Sequence, residues 1–78
     1  MPDMRDAKTA LQEWAQSRKG SAATPRYRLI RREGPDHAPR FFVEASVSGE
    51  QSETGEGNSK REAEQNAAMK MLSRLGLK

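Results

Sequence analysis

The segment Gly55–Gly76, GEGNSKREAEQNAAMKMLSRLG, decides the fold. Ala63, Ala67, Ala68, Met71, Leu72 and Leu75 fall on one apolar stripe of about four turns at 3.6 residues per turn, which marks an amphipathic helix. Ser59 followed by Glu62 has the form of a capping box, in which each side chain takes up the other residue's backbone N–H. Gly76 can adopt the left-handed conformation that ends a helix. Ahead of the helix, Gly55, Gly57 and Asn58 read as a break. A helix with a one-sided stripe needs a surface to lie on, and the preceding chain must supply it.

Phe41, Val43, Ala45 and Val47 alternate with Phe42, Glu44, Ser46 and Ser48, the period of a half-buried strand that turns near Gly49. Residues 50–54, EQSET, are polar throughout and read as a weak third strand at the sheet edge, placed there because the hairpin needs a partner. Before Phe41, the loop Gly34–Pro39 (GPDHAP) holds two prolines that stop both helix and ladder. Tyr27 and Leu29 alternate with Arg26 and Arg28, so the first strand follows Pro25 with Tyr27 and Leu29 toward a core. From Asp6 to Lys19, Ala7, Ala10, Leu11, Trp14 and Ala15 form a second helical stripe, with Asp6 as its cap and Gly20 at its end, followed by a loop to Pro25. The expected fold is α+β in the order α-β-β-β-α: a three-stranded antiparallel sheet with both helices packed on one face. The expected organisation is a flexible tail at 1–4, one domain at 5–76 and a short tail at 77–78.

Composition agrees with one small domain. At 78 residues the chain can bury only about 60–65% of its unfolded surface, too little for a second core. Apolar residues make up 33% and mean hydropathy is −1.00, but a net charge of +3 is too small to force disorder. No run is long enough for a membrane span and the N-terminus lacks a secretory signal, so a soluble, cytoplasmic setting without a membrane partner is expected. Without cysteine there is no disulfide or thiolate metal site, and His37 is the single histidine. No metal, cofactor or small-molecule ligand is expected in this segment. A pI near 9.7 is compatible with a polyanionic partner, and position must decide.

Three places draw attention. Lys60 and Arg61 put cations in the first turn of the second helix, where the unpaired amides and the helix dipole disfavour them. A phosphate bridging them reverses that penalty, and Gly55 and Gly57 would let a phosphate strand approach. The plainer reading is two solvated cations, partly neutralised by Glu62 and Glu64, beside ordinary turn glycines. On the first helix Thr9, Gln12, Glu13 and Gln16 form a polar stripe opposite Leu11 and Trp14. It suits neutral partners that both donate and accept hydrogen bonds, such as ribose 2′-hydroxyls in the shallow minor groove of A-form RNA, and it is also simply the wet face of an amphipathic helix. His37 stands in a stiffened loop, fit to enter a groove or to sit in an ordinary turn, and it has no nucleophile or orienting acid nearby in sequence for catalysis. Trp14, Tyr27 and Phe41 fall on core-facing positions, leaving Phe42 as the ring expected to be exposed.

Together the stretch Asp6–Gln16 (DAKTALQEWAQ), the loop Gly34–Pro39 before Phe41, and Gly55–Gln65 (GEGNSKREAEQ) before Ala67 and Ala68 resemble the double-stranded RNA-binding domain. The likeness covers about residues 5–76, and it is narrowest to the C-terminal RNA-binding domain of bacterial ribonuclease III. It implies a module that binds duplex RNA by shape over about 16 base pairs, through two minor grooves and the phosphates between them. Position by position it implies that Thr9, Gln12, Glu13 and Gln16 bond 2′-hydroxyls and base edges, that His37 with Pro35 and Ala38 enters the other minor groove, and that Ser59, Lys60 and Arg61 hold phosphates. Arg61 stands where lysine is usual, and Glu64 where many eukaryotic members carry another lysine. The resemblance further implies a homodimeric parent endoribonuclease that processes structured rRNA and mRNA precursors, with magnesium in a nuclease domain absent from this segment. The isolated segment should not cut. Rival readings are a DNA-binding regulator using helix 59–75 and a protein-interaction domain that kept the fold and lost RNA binding.

Overall fold

A computed structural model describes residues 5–17, 24–47 and 49–76. The order is α1 (Arg5–Ser17), β1 (Arg26–Glu33), β2 (Arg40–Ser46), β3 (Glu53–Gly57) and α2 (Lys60–Arg74). The strands form an antiparallel sheet in the order β1-β2-β3, as the alternating pattern requires. Both helices lie on one face: α2 crosses β3 and β2, and α1 rests chiefly on α2. Ala7, Leu11 and Ala15 of α1 meet Ala45, Val47, Ala67, Ala68 and Met71 in one core, with Trp14, Tyr27, Leu72 and Leu75 packed around it. Leu11, Val43 and Met71 are its largest fully buried side chains, each contributing about 1.5–3 kcal/mol by leaving water. The expected tails at 1–4 and 77–78, the helix end at Gly20 and most of its loop, and Ser48 lie outside the described residues.

The third strand departs from the sequence expectation. It occupies 53–57 rather than 50–54, and Gly55 and Gly57 are ladder residues paired with Val43 and Phe41 instead of breaks. A Cβ on Gly55 would come within 2.2 Å of the Ala67 nitrogen and 2.7 Å of the Ala63 oxygen. The glycines are therefore in the strand because α2 presses its backbone onto β3, a close approach that only a missing side chain permits. Side chains of α2 reach this strand and the residues before it. Asn66 Nδ2 donates to the Glu56 carbonyl at 2.7 Å, and Arg74 donates to the Gln51 carbonyl and the Glu53 carboxylate. The hairpin before it closes through Gly49 at φ +87° and a bond from the Glu50 N–H to the Val47 carbonyl.

Leu29, expected in the core, is 43% exposed. It pairs with buried Val43 and so shares the helix-facing side, but α2 covers β2 and β3, leaving outer strand β1 uncovered. The register also slips between Leu29 and Arg31, so Ile30 is an extra residue that ends the simple alternation. Phe41 is half-buried under the Arg32 guanidinium, 5.7 Å from the ring centroid. Phe42, expected to be exposed, is half-buried on the open sheet face beneath Arg31 at 4.6 Å. In α1, Ala10 faces solvent instead of the core, because Ala7, Leu11 and Ala15 at intervals of four already define the buried line. The helix takes in Asp6, expected as its cap, whose side chain lies outside the described residues.

Candidate nucleic-acid interface

The start of α2 is built from its own cap. Ser59 is extended (φ −141°, ψ 162°) and its Oγ accepts the Glu62 N–H at 3.0 Å. Glu62 reaches back one residue further than the expected box: its Oε1 accepts the Asn58 N–H at 2.7 Å. The cap fixes the direction in which Lys60 and Arg61 leave the helix, and both are exposed. The two acids expected to neutralise them are engaged elsewhere. Glu62 serves the Asn58 amide, and Glu64 accepts from Lys8 Nζ on α1 at 2.6 Å. Among the described residues neither Lys60 nor Arg61 has an acidic partner. Gly55 and Gly57, read from the sequence as an approach path for phosphate, cannot serve as one because both are buried beneath α2.

The β1–β2 loop stands next to this helix start. Gly34 holds φ +90°, and a Cβ there would meet the Ala38 oxygen at 2.8 Å, so glycine is required for the turn. The Ala38 N–H donates to the Pro35 carbonyl at 2.9 Å, and Pro35, His37 and Ala38 are all exposed around that bond. At the loop's base Arg40 donates through Nη1 to Asn58 Oδ1 at 3.1 Å and through Nη2 to Glu56 Oε2 at 2.9 Å. Because Asn58 immediately precedes Ser59, one guanidinium ties the loop to the cap of α2.

The polar stripe of α1 is likewise connected to α2. Thr9, Gln12, Glu13 and Gln16 are all exposed, opposite buried Leu11 and Ala15. Lys8, beside Thr9 and one turn before Gln12, reaches Glu64, which lies one turn after Lys60. Its ammonium also sits 4.9 Å from the centroid of Tyr27. The Tyr27 phenol is pushed up to about 12, first by burial and then by the Glu64 carboxylate, and its hydroxyl is buried without a hydrogen-bond partner. Thus Lys8–Glu64 and Arg40–Asn58 link the helix stripe and the loop to the first turns of α2. Sequence reading missed Lys8, Arg40 and Asn58, whose partners are distant in the chain and carry no local signature.

The open face of the sheet looks basic in sequence, but three of its arginines are counter-charged in space. Arg28 pairs with Glu44, Arg31 with Glu33 and Arg40 with Glu56, at 3.1, 2.9 and 2.9 Å. Hydrogen bonds from Arg28 and then Ser52 hold the Glu44 carboxyl below its ordinary range. Arg26, opposite Ser46 on the same face, is exposed and has no acidic partner among the described residues. Among the described residues no group of three or more His, Cys, Asp or Glu side chains is placed to hold a metal ion, and no helix is long and apolar enough to cross a membrane.

Comparison with known families completes the picture. The family described as the double-stranded RNA binding motif matches residues 7–75, from the first buried alanine of α1 to the cap of α2. The chain belongs to this family. Among relatives of the double-stranded RNA binding motif in this chain, Ribonuclease 3 of Bartonella henselae is 56% identical over 73 residues, covering 94% of this chain and 30% of the relative. Ribonuclease 3 of Sinorhizobium medicae is 59% identical with the same coverage, and that of Rhizobium meliloti 58%. The chain thus spans 30% of the length of these relatives.

Proposed function

We propose that this domain binds duplex RNA as the substrate-binding part of a ribonuclease III-like endoribonuclease. Thr9, Gln12, Glu13 and Gln16 meet 2′-hydroxyls and base edges in one minor groove, and His37, flanked by Pro35 and Ala38, enters the next. Ser59, Lys60 and Arg61 hold the phosphates between them, across about 16 base pairs. The observation that carries the reading is the exposed Lys60–Arg61 pair, free of acidic partners among the described residues and tied through Asn58 and Glu64 to the other two elements. Neutral amide and hydroxyl groups on α1 match ribose hydroxyls, which both donate and accept, whereas the cations match phosphates.

In the whole protein, cutting belongs to a separate nuclease part using magnesium, and this domain supplies grip and register on structured precursors of rRNA and mRNA. That parent acts as a homodimer, joined through its nuclease part, in the cytoplasm. The test titrates the domain with an RNA duplex, a DNA duplex of the same sequence and single-stranded RNA at two salt concentrations. The RNA duplex should bind tightest and lose affinity as salt rises. Equal affinity for the DNA duplex removes the 2′-hydroxyl assignment and favours a DNA-binding regulator. Failure to bind any of the three favours a protein-interaction domain.

A further inference from the structure

The core that the two helices share combines small side chains, Ala7 and Ala15 on α1 and Ala67 and Ala68 on α2, with Leu11, Met71 and the half-buried Trp14, Leu72 and Leu75. One ion pair also joins the two helices. Lys8 Nζ lies 2.6 Å from Glu64 Oε1, with the Glu64 side chain only 16% exposed and the Lys8 side chain 34% exposed. The Tyr27 ring beneath the ammonium at 4.9 Å adds a third contact from β1. Lys8 neighbours Thr9 and precedes Gln12 by one turn, and Glu64 follows Lys60 by one turn, so this partly buried contact stands between the two helical stations of the proposed RNA site.

We propose that Lys8 and Glu64 form a positioning clasp that holds the α1 stripe at the separation from Lys60 and Arg61 that duplex RNA requires. Glu64 then promotes RNA binding although it is an acid one turn from a phosphate-holding cation. The inference rests on the RNA-binding reading above and makes a prediction opposite in sign to simple charge counting. If Glu64 were only a negative charge near a polyanion, neutralising it would tighten binding. If it is half of the clasp, neutralising it frees α1 to shift and weakens binding.

The experiment titrates a duplex RNA of about 20 base pairs, longer than the expected footprint, with the wild-type domain, E64Q, E64D, E64K, the exchanged pair K8E/E64K, and K60A/R61A. Circular dichroism confirms folding at the assay temperature. E64Q should bind about fivefold more weakly, the scale of coupling between residues in direct contact. E64D keeps the charge but shortens the reach and should also weaken binding. K8E/E64K, with the same total charge as the wild type, should recover to within about twofold and bind more tightly than E64K alone, an order that a cation newly placed beside the phosphates does not give because E64K carries the higher net charge. Should E64Q prove unfolded at that temperature, E64D and the exchanged pair decide by the same criteria. E64Q or E64D binding as tightly as the wild type or tighter, or a folded K8E/E64K that does not recover, overturns the clasp. Wild-type protein that ignores duplex RNA, or undiminished binding by K60A/R61A, overturns the RNA-binding reading itself and is thereby distinguished.

Discussion

Replacing Gly55 with alanine probes the contact that sets the height of α2 above the sheet. The added Cβ would lie 2.2 Å from the Ala67 nitrogen and 2.7 Å from both the Ala63 oxygen and the Ala67 Cα. All three are backbone atoms of α2, so no side chain can swing aside, and the helix must lift or the strand must bend. Overpacking typically costs about 1–3 kcal/mol, and a rigid obstacle places this case at the upper end. Against that, alanine restricts the unfolded chain more than glycine does, which returns about 0.4–1 kcal/mol. The net loss is about 2–3 kcal/mol, which for a domain this size lowers Tm by about 10–20 °C. Thermal and urea denaturation followed by circular dichroism measure it, and RNA titration well below Tm should show weaker binding because lifting α2 displaces Lys60 and Arg61. G57A, whose nearest neighbours are the Ala63 nitrogen at 2.8 Å and two atoms of the Glu62 side chain at 2.8 and 2.9 Å, should cost less. A G55A protein melting within a few degrees of the wild type and binding duplex RNA equally well would refute the argument that the glycine exists for helix approach.

Two further substitutions test the cap and the buried phenol. S59A removes the acceptor of the Glu62 N–H and should cost about 1 kcal/mol, about 4–8 °C in Tm, whereas S59G should cost only a few tenths; equal melting temperatures for S59A and wild type would contradict the cap. Y27F deletes a buried hydroxyl that has no partner and should leave stability unchanged or raise it by up to about 1 kcal/mol, as read by urea denaturation at neutral pH. Its pH dependence follows from the same environment. The unfolded chain releases the phenolic proton near 10 and the folded protein near 12, so between these values the unfolded state binds fewer protons and stability falls with rising pH. The loss is up to about 2 kcal/mol, reduced by partial solvent access, and Y27F should lack that part of the alkaline decline; identical declines in both proteins would contradict it.

The element order and most of the core were legible because amphipathic periods are local. Leu11, Ala15, Ala67, Ala68 and Met71 announce their faces by spacing alone, and Ser59 announces the start of α2 by its chemistry. The third strand was not legible, since ETGEG carries no apolar alternation and only one β-branched residue, Thr54, between Glu53 and two glycines. Its strand character comes from pairing with β2 and from the helix above it, both distant in sequence. Leu29 misled for a related reason: its alternation is real, but burial depends on where α2 ends across the sheet. At the candidate site, the exposure of Thr9, Gln12, Gln16, Lys60 and Arg61 followed from helix phase. The partners of Glu62 and Glu64 did not, because Asn58 and Lys8 compete for these carboxylates only once the chain has folded. Sequence proximity alone made them counterions of Lys60 and Arg61, whereas the folded chain spends them on the cap and on the α1–α2 contact.

The claim that the first turn of α2 grips phosphate is tested most directly by the salt dependence of duplex RNA affinity for the wild type and K60A/R61A. Each phosphate contact contributes about one unit to the slope of log K against log salt, so the double variant should bind every duplex sequence more weakly and show a slope shallower by about two. A folded double variant with the wild-type slope and affinity would contradict the account.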